Sequence, residues 1–195
     1  TPYAFDEKKY KATNSIIFPQ TTSENREYIP IGFLDSTYVV SNAARLVYNA
    51  ESWLFVVLTS KIHNVWLQRV AGRLETRIQY SNTLCYNTFP FPSISEQNKN
   101  EISLCVLRIL EEREKYSEKT YPQLYDPNKM PKGLREAHRL NDVAVERCYR
   151  SKPFENDEER LEYLFKLYEQ MIDDERNRGS LFPTETKTKK PKKKK

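Results

Sequence analysis

The string Glu75-Thr76-Arg77 sets a carboxylate and a guanidinium two residues apart. On an extended segment that spacing points both side chains to one face. Held side by side, such a pair can read one C·G base pair. The guanidinium donates in bidentate fashion to guanine O6 and N7, and the carboxylate accepts from cytosine N4. Arg73, Gln79 and Asn82 flank the pair. The same spacing also fits an ordinary surface ion pair, worth about 0–1 kcal/mol, and spacing alone favours that plainer reading.

Other chemistries lack their residues. The three cysteines (Cys85, Cys105, Cys148) and two histidines (His63, His138) form no C-x-x-C or H-x-x-x-H, which argues against a zinc cluster. An odd cysteine count without framework spacing points to a reducing, cytoplasmic setting. Gly32, Gly72, Gly133 and Gly179 lie too far apart for G-x-G-x-x-G or a P-loop. The nearest string to an Asn/Asp-Pro-Pro-aromatic methyltransferase loop is Asp126-Pro127-Asn128, which fails. Glu7-Lys8-Lys9 and Glu185-Thr186-Lys187 carry only the second half of a PD…(D/E)xK nuclease signature. His63, three residues before Trp66 with no acid or second ligand in register, reads as a packing or hydrogen-bonding histidine, as does His138. Cys105, Cys148, Tyr168 and Met171 read as core by spacing.

Charge narrows the partners. The 195 residues carry 32 Lys+Arg against 27 Asp+Glu, a net +5 with a pI near 9.0. Seven of those lysines fall between Lys187 and Lys195; removing them turns +5 into −2. Residues 1–93 hold 9 basic and 7 acidic groups, and residues 94–186 hold 16 and 20. A polyanion would therefore favour the first part and the tail. The longest apolar run, Trp53 to Leu58, is six residues, far short of the roughly 20 that cross a bilayer. Thr1 to Lys11 show no signal-peptide core, so no membrane partner is expected. The abrupt start at Thr1 suggests a piece of something longer.

Periodicity predicts the elements that must position these groups. Ile16-Ile17-Phe18 suggests one short strand, and Tyr28–Leu34 and Thr37–Val40 suggest two more around Asp35-Ser36. Asn49 is a fitting cap for a helix over about 50–70, apolar all round in its first half and amphipathic after Leu58, with Gly72 as the left-handed residue beyond its end. Arg73–Tyr80 and Thr83–Asn87 read as strands around Ser81-Asn82, and Phe89-Pro90-Phe91-Pro92 marks the boundary of the first part. Three helices follow, the first capped by Ser95, the second over about Leu134–Tyr149, the third capped by Asn156 or Asp157. The third carries the stripe Leu161, Leu164, Phe165, Tyr168, Met171 and Ile172 and stops at Gly179. The fold class is α+β: a small mixed sheet with a buried long helix, then a three-helix C-terminal bundle. The divisions are residues 1–92, 93–180 and a disordered Lys-rich tail over 181–195.

These strings also resemble a known family. YIPIGFL (28–34), Ser41-Asn42-Ala43, SKIHNVWLQRVAGRLETRIQYS (60–81), NTLCYNTFPFP (82–92), LYDPNKMPKGLREAHRLND (124–142) and ERLEYLFKLYEQM (159–171) are similar to the C-terminal part of MmeI-like restriction-modification enzymes. Those enzymes join an adenine-N6 DNA methyltransferase to an endonuclease around one target recognition domain. The resemblance, from roughly Phe18 to Met171, implies that this chain holds the later part of that domain and a C-terminal helical domain. It implies double-stranded DNA as partner, together with the upstream methyltransferase domain of the same polypeptide. It also puts the catalytic loop, the S-adenosylmethionine site and the Mg-dependent nuclease upstream of this chain. In that family a Glu/Arg or Lys/Asp pair, two residues apart just after the long helix, chooses the base pair beside the methylated adenine. Glu75 and Arg77 match, which turns their reading toward base recognition. A second determinant falls on Asn42 and Ala43, and a third near Gln20. Arg26, Lys61, Arg69 and Arg73 are candidate phosphate contacts, which position without specifying. The Lys tail departs from the family pattern.

The competing expectation is a protein-interaction or scaffolding helical domain without base contacts, and a third is an enzyme with a site the motifs do not reveal. DNA binding falls steeply with salt in proportion to the phosphates contacted, whereas a mainly apolar interface does not.

Overall fold

Buried Ile16 and Phe18 alternate with half-buried Ile17 and Pro19, so β1 (Ser15–Pro19) lays one face on the core. The computed structural model describes residues 11–41 and 43–179; Asn42, the Glu7–Lys9 and Glu185–Lys187 strings and the Lys-rich tail lie outside them. After a single residue, Gln20, the strand resumes as β2 (Thr21–Thr22). β1 lies antiparallel between β3 (Gly32–Leu34) and β4 (Ala44–Tyr48). β2 passes into a second antiparallel sheet with β5 (Gly72–Leu74) and β6 (Arg77–Gln79), in the order β2-β6-β5. The small sheet is thus two sheets hinged on Gln20. Its N–H donates to the Ala43 carbonyl at 3.1 Å, and its own carbonyl accepts from Tyr80 N–H at 2.8 Å.

Several strands fall elsewhere than periodicity predicts. Residues 37–40 form no strand, because the Asp35 carboxylate accepts the N–H (2.8 Å) and hydroxyl (2.5 Å) of Thr37 and closes an Asx turn. Tyr28, Ile29 and Ile31 are buried but stay outside the ladder around Pro30, which has no N–H to donate. The expected strand over 83–87 is a π-helical turn, Asn82–Tyr86, capped by Ser81 Oγ, which accepts from Leu84 N–H at 3.3 Å.

The long helix is two helices, α1 (Ser52–Leu58) and α2 (Lys61–Val70). Ser60 breaks it: its hydroxyl donates to the Val57 carbonyl at 2.6 Å and accepts from His63 N–H at 3.5 Å, closing one helix while capping the next. Asn49 does not cap; it leaves β4 at φ 53, and Glu51 stands at the start of α1 with no side-chain bond to the helix. Nor is Gly72 left-handed. Ala71 ends α2 in an extended conformation and Gly72 begins β5. The expected all-round burial holds from Leu54 to Leu58, but α2 is less amphipathic than predicted: Ile62 to Leu67 are all buried, His63 and Asn64 included, and Asn64 Nδ2 donates to the Glu27 carbonyl at 2.8 Å.

The C-terminal helices start where their caps predict. Ser95 Oγ accepts from Asn98 N–H at 3.2 Å ahead of α3 (Glu96–Glu114). Asn156 Oδ1 accepts from Glu159 N–H at 2.8 Å at the head of α6 (Asp157–Gly179). Between them lie the short α4 (Tyr121–Leu124) and α5 (Lys132–Tyr149). α3 packs on α5 and on α1, while α6 packs on α2, setting Phe165 and Tyr168 5.3 and 5.7 Å from the Trp66 ring. One hydrophobic cluster therefore runs from Ile16 to Leu164 through both parts. Polar ties cross it too: Asn141 Nδ2 donates to the Val56 carbonyl at 3.0 Å, and Tyr149 Oη to the Pro90 carbonyl at 3.1 Å. Arg113 is buried among neutral partners. Its guanidinium donates to the Ile31 carbonyl (2.9 Å) and to Tyr125 Oη (2.8 Å), with the rings of Phe55, Tyr121 and Tyr125 around it. Among the described residues no helix is long and apolar enough to cross a membrane.

Candidate nucleic-acid interface

The Leu74–Arg77 pair closes a hairpin whose two central residues are Glu75 and Thr76. Tight hairpins of this kind need a positive φ in the turn and usually place glycine there. Here Glu75 takes it, at φ 56, a conformation that costs an ordinary residue on the order of 1 kcal/mol or more. The expectation of one straight strand carrying both charges is therefore corrected: Glu75 caps the hairpin tip and Arg77 opens β6. The two groups still meet. Arg77 Nη2 donates to Glu75 Oε2 at 3.2 Å, with the side chains 55% and 77% exposed.

Register fixes what surrounds them. Ile78 and its partner Thr22 face inward and are buried. Leu74, Arg77, Gln79 and Thr21 share the outer face, with Gln79 opposite Thr21 beside Gln20. From Arg77 to Gln79 is ~7 Å along the strand, the length of two base-pair steps of about 3.4 Å. Sequence reasoning registered Gln79 only as a neighbour, since its face depends on the unrecognised turn. Gln20 and Ala43 meet through the main chain at the far end of the same ladder.

The four candidate phosphate contacts divide. Arg73 straps the hairpin down: its guanidinium donates to the Gln68 carbonyl (2.8 Å), Gln68 Oε1 (3.2 Å) and the Thr76 carbonyl (3.3 Å). Gln68 Nε2 in turn donates to the Glu24 carbonyl at 3.1 Å. Arg26, Lys61 and Arg69 line one groove of about 440 Å³ between residues 24–27, α2 and the start of α6. That groove also holds Glu24, Glu27, Asp157 and Glu158. Lys61 pairs with Asp157 at 3.0 Å, and Arg26 Nη1 donates to Thr22 Oγ1 at 3.1 Å. Arg69 is exposed, with no ion-pair partner among the described residues.

Both histidines are structural. His63 is fully buried, donates from Nδ1 to the Leu58 carbonyl at 2.8 Å, and is pulled by burial to a pKa of about 4. His138 bonds Tyr125 Oη through Nε2 at 2.8 Å and stacks on Tyr28; burial, then Arg113, holds it well below its ordinary value. No group of three or more His, Cys, Asp and Glu among the described residues is placed to hold a metal.

Asp142 positions the helix that carries the hairpin. It accepts the Lys61 N–H on Oδ1 and the Tyr28 hydroxyl on Oδ2, each at 2.7 Å, so α5 caps α2. Burial nevertheless pushes its carboxyl up to about 7 from 3.8. A raised folded-state pKa means that this group's stability is complete below about 3.8 and is lost as pH climbs through about 7. His63 acts oppositely, its stability being present above 6.5 and lost as pH falls through about 4. Asp142→Asn keeps the acceptor for Lys61 and removes the buried charge. Calorimetry should therefore find the variant's melting temperature above wild type near pH 8, with the gap closing near pH 5.

Two family models match the chain one after the other. The family model described as MmeI, target recognition domain, matches residues 1–93, and that for MmeI, C-terminal domain, matches residues 94–174. DNA methyltransferase A of Bacillus subtilis (strain 168) is 46% identical over 173 residues, 89% of this chain and 20% of that protein. Among solved structures, the type IIL restriction-modification enzyme MmeI in complex with DNA matches with a TM-score of 0.84 at 38% identity, covering 88% of this chain and 23% of that one. The chain thus spans about a fifth of the length of these relatives.

Proposed function

Because the chain belongs to the MmeI family, carrying its target recognition domain and then its C-terminal domain, we propose that it reads the DNA target of a longer adenine-N6 methyltransferase. In this reading Glu75 and Arg77 enter the major groove and contact one C·G pair beside the target adenine. Gln79, Gln20 and Ala43 meet bases further along the site, and Arg69, Arg26 and Lys61 approach phosphates. The upstream domains supply S-adenosylmethionine and, where cleavage occurs, Mg.

The observation that carries the reading is the hairpin tip. A carboxylate held at a left-handed φ in open solvent does nothing for the fold that glycine would not do with less strain. An exposed ion pair contributes about 0–1 kcal/mol, while each bidentate base contact is worth about 1–3. The pair therefore opens readily in exchange for base edges.

Glu75→Gly in the complete enzyme tests this. Discrimination at one base pair should fall ~10–100-fold, while the melting temperature stays close to wild type because glycine accepts the turn's φ. Sequencing of methylated sites and calorimetry give the two readouts. An unchanged target sequence would overturn the assignment. DNA binding that ignored added salt would favour a scaffolding role instead.

A further inference from the structure

We propose that Tyr38 and Val39, at the crest of the loop joining β3 to β4, form an apolar wedge that enters the base stack of the bound duplex. The proposal rests on the DNA-reading role above and adds a part to it. A single exposed apolar side chain needs no explanation. Here an aromatic and a β-branched residue are adjacent on one crest, 57% and 77% exposed.

Their exposure is built in. At one end of the loop, the Asp35 carboxylate holds the N–H and hydroxyl of Thr37, and those bonds keep it below the usual carboxylate range. Tyr38 N–H also donates to the Asp35 carbonyl at 3.5 Å. At the other end, Ser41 Oγ accepts from Ala43 N–H at 3.4 Å and the Ser41 carbonyl from Ala44 N–H at 3.3 Å. Both ends of the crest are thus fixed, which shortens the stretch left to order when it binds.

Place and charge point to the occupant. The loop runs into Ala43, whose carbonyl is bonded to Gln20 at the junction of the two sheets. Val39 precedes Ala43 by four residues, at most ~14 Å of chain, so the crest lies within that reach of the junction that the proposed DNA-reading role sets against the duplex. From Ser36 to Ser41 there is no ionisable acid or base apart from the Tyr38 phenol, and the nearest charge, the Asp35 carboxylate at the base of the loop, is engaged by Thr37. An enzyme that methylates a base must draw it out of the stack, and apolar side chains inserted between base steps unstack DNA elsewhere. The Tyr38 ring offers a face to a neighbouring base, and Val39 fills space against it.

The test uses the complete enzyme and a duplex with 2-aminopurine in place of the target adenine, whose fluorescence rises when it unstacks. Tyr38→Ser combined with Val39→Ser should cut the fluorescence rise at saturation by more than half. Affinity should weaken about tenfold, the scale of a lost stacking contact. The salt slope should stay at the wild-type value, because no phosphate contact is lost. The methylated sequence and melting temperature should also be unchanged. Tyr38→Phe should keep the full fluorescence rise. A double variant matching wild type in fluorescence and affinity overturns the wedge, as does one that methylates a different sequence, which would make the loop a base reader. A wild-type enzyme without salt-sensitive, sequence-selective binding overturns the DNA-reading role itself.

Discussion

Exchanging both charges at the hairpin tip, Glu75→Lys with Arg77→Asp, should move the methylated sequence of the complete enzyme from C·G to G·C at one position. On the proposed reading, wild type offers a carboxylate to cytosine N4 and a guanidinium to guanine O6 and N7. The double exchange mirrors acceptor and donor along the same exposed tip, so the favoured pair is mirrored too. Each single exchange should fail at both sequences. Glu75→Lys alone sets two cations against one base pair and leaves cytosine N4 without its acceptor. Arg77→Asp alone sets two carboxylates there. Either loses about 1–3 kcal/mol of base contact and adds like-charge repulsion. Rescue by the second change is therefore the signature, read by sequencing methylated sites from cells expressing each variant. A double variant that kept the wild-type sequence would remove these two residues from the reading surface. Folding should not intervene, since both side chains project into solvent and, among the described residues, bond only each other.

Arg113→Ala should be the most damaging single truncation in the core, at about 3–5 kcal/mol. It leaves the Ile31 carbonyl without its buried donor and opens a cavity between β3, α3 and α4. Tyr125 Oη keeps His138 as a partner, so only part of the network is orphaned. Arg113→Met fills most of the volume and removes a buried cation that has no carboxylate to lose. It should cost about half as much, chiefly through the unsatisfied Ile31 carbonyl. Thermal unfolding of both variants decides the matter. Equal losses would mean that packing alone holds this corner.

The two parts of this chain were unequally legible. Ser95 and Asn156 announce α3 and α6 because capping and the 3.6-residue stripe act within a few residues of chain. The break at Ser60 combines its own short-range bonds to Val57 and His63 with a distant one: α2's first N–H is capped by Asp142, 81 residues away. The hairpin escaped because Glu75-Thr76 carries no Asn-Gly or Asp-Gly signal, and its left-handed φ sits on a residue that rarely takes one. Gly72, the obvious candidate for that conformation, takes extended backbone instead. The nearness of Glu75 and Arg77 was therefore readable from spacing, but the turn that aims them was not. The spacing by itself did not separate base reading from an idle ion pair; the resemblance of the family strings is what favours base reading, and the paired exchange is its test.

Arg73 grips the hairpin through the main-chain oxygen of Thr76 and the end of α2, atoms that survive any change of side chain at positions 75 and 77. The tip can therefore be rewritten while its mounting stays the same. On the proposed reading, a lineage built on this plan acquires a new target letter by a paired substitution at positions 75 and 77, each new dialect carried by an unaltered frame.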